Sequence, residues 1–152
     1  METKAEEVII RKLQAKDLEN GFLDTMEGLA PTHLTPARAA KILKKRERMG
    51  MRTYVVCLPG TEYIVGTASL AFQIKMFRGG GVVGIIEDVV IHPEHRGKYY
   101  GVQLINHLVK AAKKAKCYKV ILYCNNKNVT YYEQFGFHSH EVLMRIDFPE
   151  NS

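Results

Sequence analysis

"EDVVIHPEHRGKYYGVQLINHLVKAAKK", Glu87 to Lys114, decides how this chain folds. Ile85 to Ile91 is an apolar, β-branched run interrupted by two acids, the composition of a strand. It ends at His92-Pro93 and passes through a short basic loop carrying Arg96, Gly97, Lys98 and Gly101. A helical period follows from Gly101 to Lys116, with Ile105, Leu108, Val109, Ala112 and Ala115 as its buried stripe. The next apolar run, "KVILYC" from Lys119, reads as a second strand buried on both faces. Two such strands joined by one helix make a right-handed parallel βαβ unit.

The basic loop sits where that helix must start. The first turn of a helix offers free backbone N–H groups and a partial positive charge. Glycine there lets a phosphate approach the main chain, and Arg96 and Lys98 add full charges, so the junction reads as a diphosphate cradle. It is neither the Gly-x-x-x-x-Gly-Lys-Ser/Thr phosphate loop nor the dinucleotide Gly-x-Gly-x-x-Gly.

Outward from this unit, Val8–Leu13 predicts a first strand and a helix from near Asp17. Thr35 and Pro36 are an N-cap and first helical residue for a helix running to about Met49. "TYVVCL" (Thr53–Leu58) and "YIVGTASLAFQI" (Tyr63–Ile74) predict strands, and Phe77–Gly84 a link or hairpin turn. Asn128–Phe135 predicts a short helix and Glu141–Phe148 a last strand. With no repeat or linker, 152 residues form one domain, residues 1–152.

The formal charge of +6 suits an anionic ligand. The basic runs at Lys41–Arg48 and Lys110–Lys116 lack the interleaved aromatics of a nucleic-acid surface. Cys57, Cys117 and Cys124 show no paired spacing, which argues for a reducing compartment; Cys117 and Cys124 read as core residues. The charged N-terminus does not read as a signal peptide, and no run is long enough to span a bilayer. A cytoplasmic or organelle-matrix location follows as the expectation. His92, His95, His138 and His140 lack zinc-ligand spacing, so no metal is expected.

"RGKYYG", Arg96 to Gly101, after an apolar strand resembles the coenzyme A loop of the GNAT acyltransferase superfamily, Arg/Gln-x-x-Gly-x-Gly/Ala. Tyr99 stands where that pattern has its first glycine. "IEDVVIHPEHRGK", "CYKVILYCNNKNVTYYEQFGF" and "LAFQIKMFRGGG" resemble the glucosamine-6-phosphate N-acetyltransferases of that superfamily, over roughly Thr53 to Phe148. The resemblance implies an α/β (α+β) GNAT fold. Its mixed, mostly antiparallel sheet would splay at the cofactor strand, with helices on both faces. It implies acetyl transfer from acetyl-CoA to glucosamine 6-phosphate in UDP-N-acetylglucosamine biosynthesis, by direct attack in a ternary complex.

The same resemblance assigns residues. Val89, Val90 and Ile91 would pair with the pantetheine arm, opened by a β-bulge, and an N–H there would face the thioester oxygen. Arg96, Gly97, Lys98, Tyr99, Tyr100 and Gly101 would hold the pyrophosphate, with Asn128 a further coenzyme contact. Tyr123 is counted with that strand, its carbonyl holding the amine, where relatives commonly carry an acid. Tyr132 would protonate the leaving thiolate. Glu87 would line the sugar pocket or relay the amine proton; Asp88, next to it, would point to the other face. Lys75, Met76, Phe77 and Arg78, with Tyr118, Lys119 and Thr32, would contact the sugar phosphate. Relatives complete the site across a homodimer with a C-terminal arginine; here Asp147 holds that position and Arg145 lies two residues earlier. Two alternatives stay open: another amine acceptor (protein N-terminus, lysine or polyamine), or a non-catalytic nucleotide-binding module, whose binding would be steeply salt-dependent.

Overall fold

In the computed structural model, which describes residues 5–150, the chain falls into two compact units, Met1–Leu122 and Tyr123–Ser152. The first holds a five-stranded sheet in the order β1-β2-β3-β4-β5: β1 Ile9–Lys12, β2 Arg52–Cys57, β3 Ile64–Ile74, β4 Val82–Ile91 and β5 Lys119–Leu122. The first three pairings are antiparallel and β4–β5 is parallel, which makes the expected mixed sheet with its crossover. Helices cover both faces: α1 (Leu23–Glu27) and α2 (Pro36–Arg48) on one side, α3 (Tyr100–Lys114) on the other.

Local chemistry explains the helix ends. Thr35 Oγ1 accepts from the Arg38 amide at 3.2 Å, and Pro36 opens α2 as expected. α3 buries Tyr100, Leu104, Ile105, Leu108 and Ala112, while Val109 and Ala115 are half-exposed. The predicted helix from Asp17 is not continuous. A 3-10 turn (Ala15–Asp17) and a π turn (Leu18–Phe22) precede α1, with a kink at Asn20-Gly21. Gly21 has φ 99°, and a Cβ there would strike the carbonyl oxygen of Ile64, so the chain breaks where β3 passes under it.

Three further expectations are corrected. β4 is longer than Ile85–Ile91, because Val82–Gly84 pair with β3 beyond a tight turn at Phe77–Gly81. β5 is half-exposed at Val120, Ile121 and Leu122, since it forms the edge of the sheet and lacks an outer neighbour. Cys117 is half-exposed and Cys124 exposed; among the three, only Cys57 is core.

In the second unit, a 3-10 turn (Asn126–Asn128) leads into α4 (Val129–Glu133). The predicted last strand does not form. Glu141–Phe148 has no ladder among the described residues, because a strand needs a partner backbone.

Candidate active site

The site begins with a defect in β4. Ser69 pairs with Glu87 and Thr67 with Val90, so Asp88 and Val89 together face Ala68. This is a β-bulge, and Asp88 sits at φ 53°, a left-handed conformation that a non-glycine residue holds only against strain. The strict face alternation expected of Glu87 and Asp88 stops here. On the other side of β4, pairing with β5 covers only Val83 to Ile86. From Glu87 to Ile91 the β5-facing edge is therefore open, and β4 splays from its parallel neighbour as the resemblance implied.

At the end of β4, Pro93–His95 forms a 3-10 turn and the chain enters the basic loop. Gly97 lies at φ 79° and Tyr99 at φ 63°, so Tyr99 adopts the backbone that glycine would supply. The N–H groups from Gly97 to Val102 have no acceptor among the described residues. They leave a row of free donors at the start of α3, where a helix offers partial positive charge. Arg96 Nε donates to the Ile91 carbonyl at 3.1 Å, which fixes the arginine against the strand end. The Lys98 ammonium lies 3.5 Å from His95 Nδ1. Burial and then this ammonium hold the His95 imidazole below its ordinary value. Tyr100 is 3 % exposed, so only its backbone faces the loop.

The loop is fastened from behind. His92 Nδ1 accepts from the Glu94 amide at 3.2 Å, so its proton sits on Nε2, which donates to Asp24 Oδ2 at 3.0 Å. Among the described residues His92, Glu94 and His95 do bring ligand atoms within 4.8 Å of one another. Both nitrogens of His92 are engaged, however, and the lysine ammonium stands against His95. That donor set does not suit a cation.

Glu87 is half-buried and Asp88 exposed. Asp88 and Thr32 both line a cavity of about 140 Å³ beneath α1 and α2. The Thr32 amide and hydroxyl both donate to Glu27 Oε1, at 3.0 and 2.7 Å. The Lys75–Arg78 segment is a hairpin tip closed by the Lys75 amide on the Gly81 carbonyl, 2.8 Å. Met76 and Phe77 are exposed there. Arg78 lies 4.6 Å over the Tyr118 ring and Lys119 5.7 Å from it. The two predicted sugar-phosphate segments thus meet in one basic patch. Lys119 pairs with Val83, four residues before Glu87 on β4, or on the order of 13 Å away at about 3.3 Å per residue.

In the second unit, Tyr123 is exposed directly after β5 and Asn128 precedes α4. Tyr132 is half-buried among Tyr131, Phe135 and Phe137, with ring centroids at 5.1, 6.4 and 6.1 Å. Burial, then the neighbouring Tyr131 and Cys124, push its phenol above the ordinary value. It stays protonated at neutral pH.

Arg46 was not legible as a site residue. Half-buried on α2, it donates to Ser69 Oγ at 2.8 Å inside the cavity. The signal was present: Ala39, Leu43 and Arg46 follow helical spacing, which puts a cation on the apolar face.

Residues 15–137 match the acetyltransferase (GNAT) family. The chain is 42% identical over 140 residues to the glucosamine 6-phosphate N-acetyltransferase of Trypanosoma brucei brucei, covering 91% of this chain and 94% of that protein. A crystal structure of a Trypanosoma brucei acetyltransferase superposes with a TM-score of 0.86 at 40% identity, covering 93% of this chain and all of that one. The glucosamine-6-phosphate N-acetyltransferase of Arabidopsis thaliana superposes with a TM-score of 0.88 at 30% identity, covering 95% and 100%.

Proposed function

Because the chain belongs to the GNAT acetyltransferase family, whose members use acetyl-CoA, we propose that it acetylates the 2-amino group of D-glucosamine 6-phosphate. The products are N-acetylglucosamine 6-phosphate and CoA, which serve UDP-N-acetylglucosamine synthesis. One catalytic domain over residues 1–152 does this, in a cytoplasmic or matrix compartment. No helix of the described residues is long and apolar enough to cross a membrane. One observation carries the reading: an open, bulged β4 edge running directly into a loop of unpartnered amides.

The mechanism follows from the residues. Amides of Gly97 to Gly101, with Arg96 and Lys98, hold the diphosphate, and Val89, Val90 and Ile91 align the pantetheine arm along the open edge. An amide at the bulge faces the thioester oxygen and stabilises the developing oxyanion. The neutral amine attacks the thioester carbon directly; a C–N bond forms and the C–S bond breaks. Glu87 takes the amine proton, directly or through water, and the Tyr123 carbonyl orients the amine. The Tyr132 phenol donates its proton to the departing thiolate. Asn128 contacts the coenzyme, and Asp88 and Thr32 the sugar.

The acceptor phosphate is bound by a second copy of the chain. Lys119 of the Arg78–Tyr118–Lys119 patch stands in register with Val83, four residues from Glu87, on the order of 13 Å along β4. The patch's cations, with Lys75, Met76 and Phe77, therefore serve the partner's acceptor. The tail supports a homodimer. Val142, Met144, Ile146 and Phe148 alternate along it and are 83%, 85%, 82% and 86% exposed. Arg145 Nε donates to Asp147 Oδ1 at 2.7 Å, so Asp147 neutralises the nearest cation at the position where relatives use arginine.

The test is thiol release from acetyl-CoA with glucosamine 6-phosphate, unphosphorylated glucosamine and spermidine in parallel. The sugar phosphate is expected to be the efficient acceptor. Preference for spermidine would overturn the assignment.

A further inference from the structure

We infer that the cavity behind Asp88 admits a second acceptor class, small α-amino acids with an apolar side chain, of which leucine is the simplest. The inference rests on the acetyl-transfer reading above but not on the sugar phosphate.

The lining describes its occupant. Leu13, Leu18, Phe22, Met26, Ile42 and Leu43 make the walls apolar. One cation and one anion complete it, Arg46 and Asp88. Arg46 is half-buried and its guanidinium donates to Ser69 Oγ at 2.8 Å and, more weakly, to Thr53 Oγ1 at 3.5 Å. Among the described residues no carboxylate lies within ion-pairing distance of it. A half-buried guanidinium with only hydroxyl partners keeps donors for a carboxylate, the group its fork fits best.

The placement agrees. Ser69, which holds Arg46, is the cross-strand partner of Glu87, the residue before Asp88, and all of Arg46, Ser69 and Asp88 line the one cavity. An α-amino acid offers a carboxylate to the cation and an amine to the anion. About 140 Å³ is a cavity for a group the size of one aliphatic side chain. The ligand's carboxylate lies on Arg46 and its side chain among the leucines. Its amine lies at Asp88, beside the bulge that aims the thioester. As with the sugar, the amine nitrogen bonds to the acetyl carbon, the C–S bond breaks, and the thiolate leaves with a proton. The amine's own proton passes to the β4 carboxylates.

Thiol release from acetyl-CoA is followed with leucine, leucinamide and glucosamine 6-phosphate, for the unaltered protein, Arg46→Met and Ala39→Leu, which fills the cavity. Leucine is expected to support turnover, with kcat/KM at least tenfold above leucinamide. Arg46→Met and Ala39→Leu should each lower the leucine value at least tenfold while CoA affinity stays within twofold. A cooperative thermal melt and retained CoA binding show that each variant is folded; should one variant fail to fold, the other decides. No leucine-dependent thiol release, equal use of leucinamide, or leucine turnover unmoved in the folded variants would overturn the inference. Loss of sugar-phosphate turnover in the unaltered protein would instead overturn the proposed function.

Discussion

Arg11 grips Asp17 with two hydrogen bonds, Nη1 to Oδ2 at 2.7 Å and Nη2 to Oδ1 at 2.8 Å, and the carboxylate is wholly buried. This fork ties β1 to the turn that starts the α1 region. Burial pushes the Asp17 carboxyl up, but the hydrogen bonds from Arg11 and the Gln14 amide outweigh it and hold it below the ordinary value. A carboxyl lowered by folding stabilises the protein above its unfolded value, about 3.9, and that contribution is lost as pH falls through the folded value. Urea unfolding between pH 7 and pH 2 should therefore show an acid-side loss below about pH 4. Asp17→Asn should remove that loss and lower stability at pH 7 by about 3 kcal/mol, because it strands the guanidinium.

Tyr99 occupies a left-handed backbone position at φ 63° and is 64% exposed, so its side chain gives little back. Tyr99→Gly should relieve about 1 kcal/mol of strain, partly offset by the freedom glycine adds to the unfolded chain. Thermal melts are expected to show an equal or higher midpoint, with coenzyme affinity retained. A clear drop in both would show that the phenol itself matters.

Tyr132→Phe keeps the ring packing against Phe135 and Phe137 and removes only the hydroxyl. Loss of a positioned acid is expected to lower kcat about 10²-fold, with both KM values little changed. Since its phenol is raised above the ordinary value near 10, kcat of the unaltered enzyme should show no alkaline fall from this group below pH 9. Steady-state kinetics from pH 6 to 9 check both statements.

Removal of residues 141–152 deletes the exposed apolar face of Val142, Met144, Ile146 and Phe148. Sedimentation is expected to report a dimer for the full chain and a monomer after truncation, with acceptor KM raised and coenzyme affinity preserved. A truncated chain that stays dimeric would contradict a tail-mediated assembly.

Much of this architecture was legible in the sequence because its signals are local. Thr35-Pro36 caps α2, and the apolar run before a basic glycine loop gives the βαβ unit with its parallel β4–β5 pair. A bulge on β4 followed from the family resemblance, which set it at Val89–Ile91; no residue pattern announces its place at Asp88 and Val89. What was missed depends on contacts distant in sequence. Asn20-Gly21 was readable as a turn signal, but the break is forced by Ile64 on β3. Glu141–Phe148 has strand alternation and no partner in its own unit, so pattern alone overstated it. Arg46 was grouped with the lysines of α2 by charge, while its helical phase put it inside.

The central claim is that the bulged β4 edge and the amides that follow it hold an acyl-CoA. Amide chemical shifts of the uniformly ¹⁵N-labelled protein on titration with CoA test it most directly. The largest changes are expected at Val89 to Ile91 and Gly97 to Val102, saturating together. Saturable binding with those amides unmoved, or no binding, would contradict it.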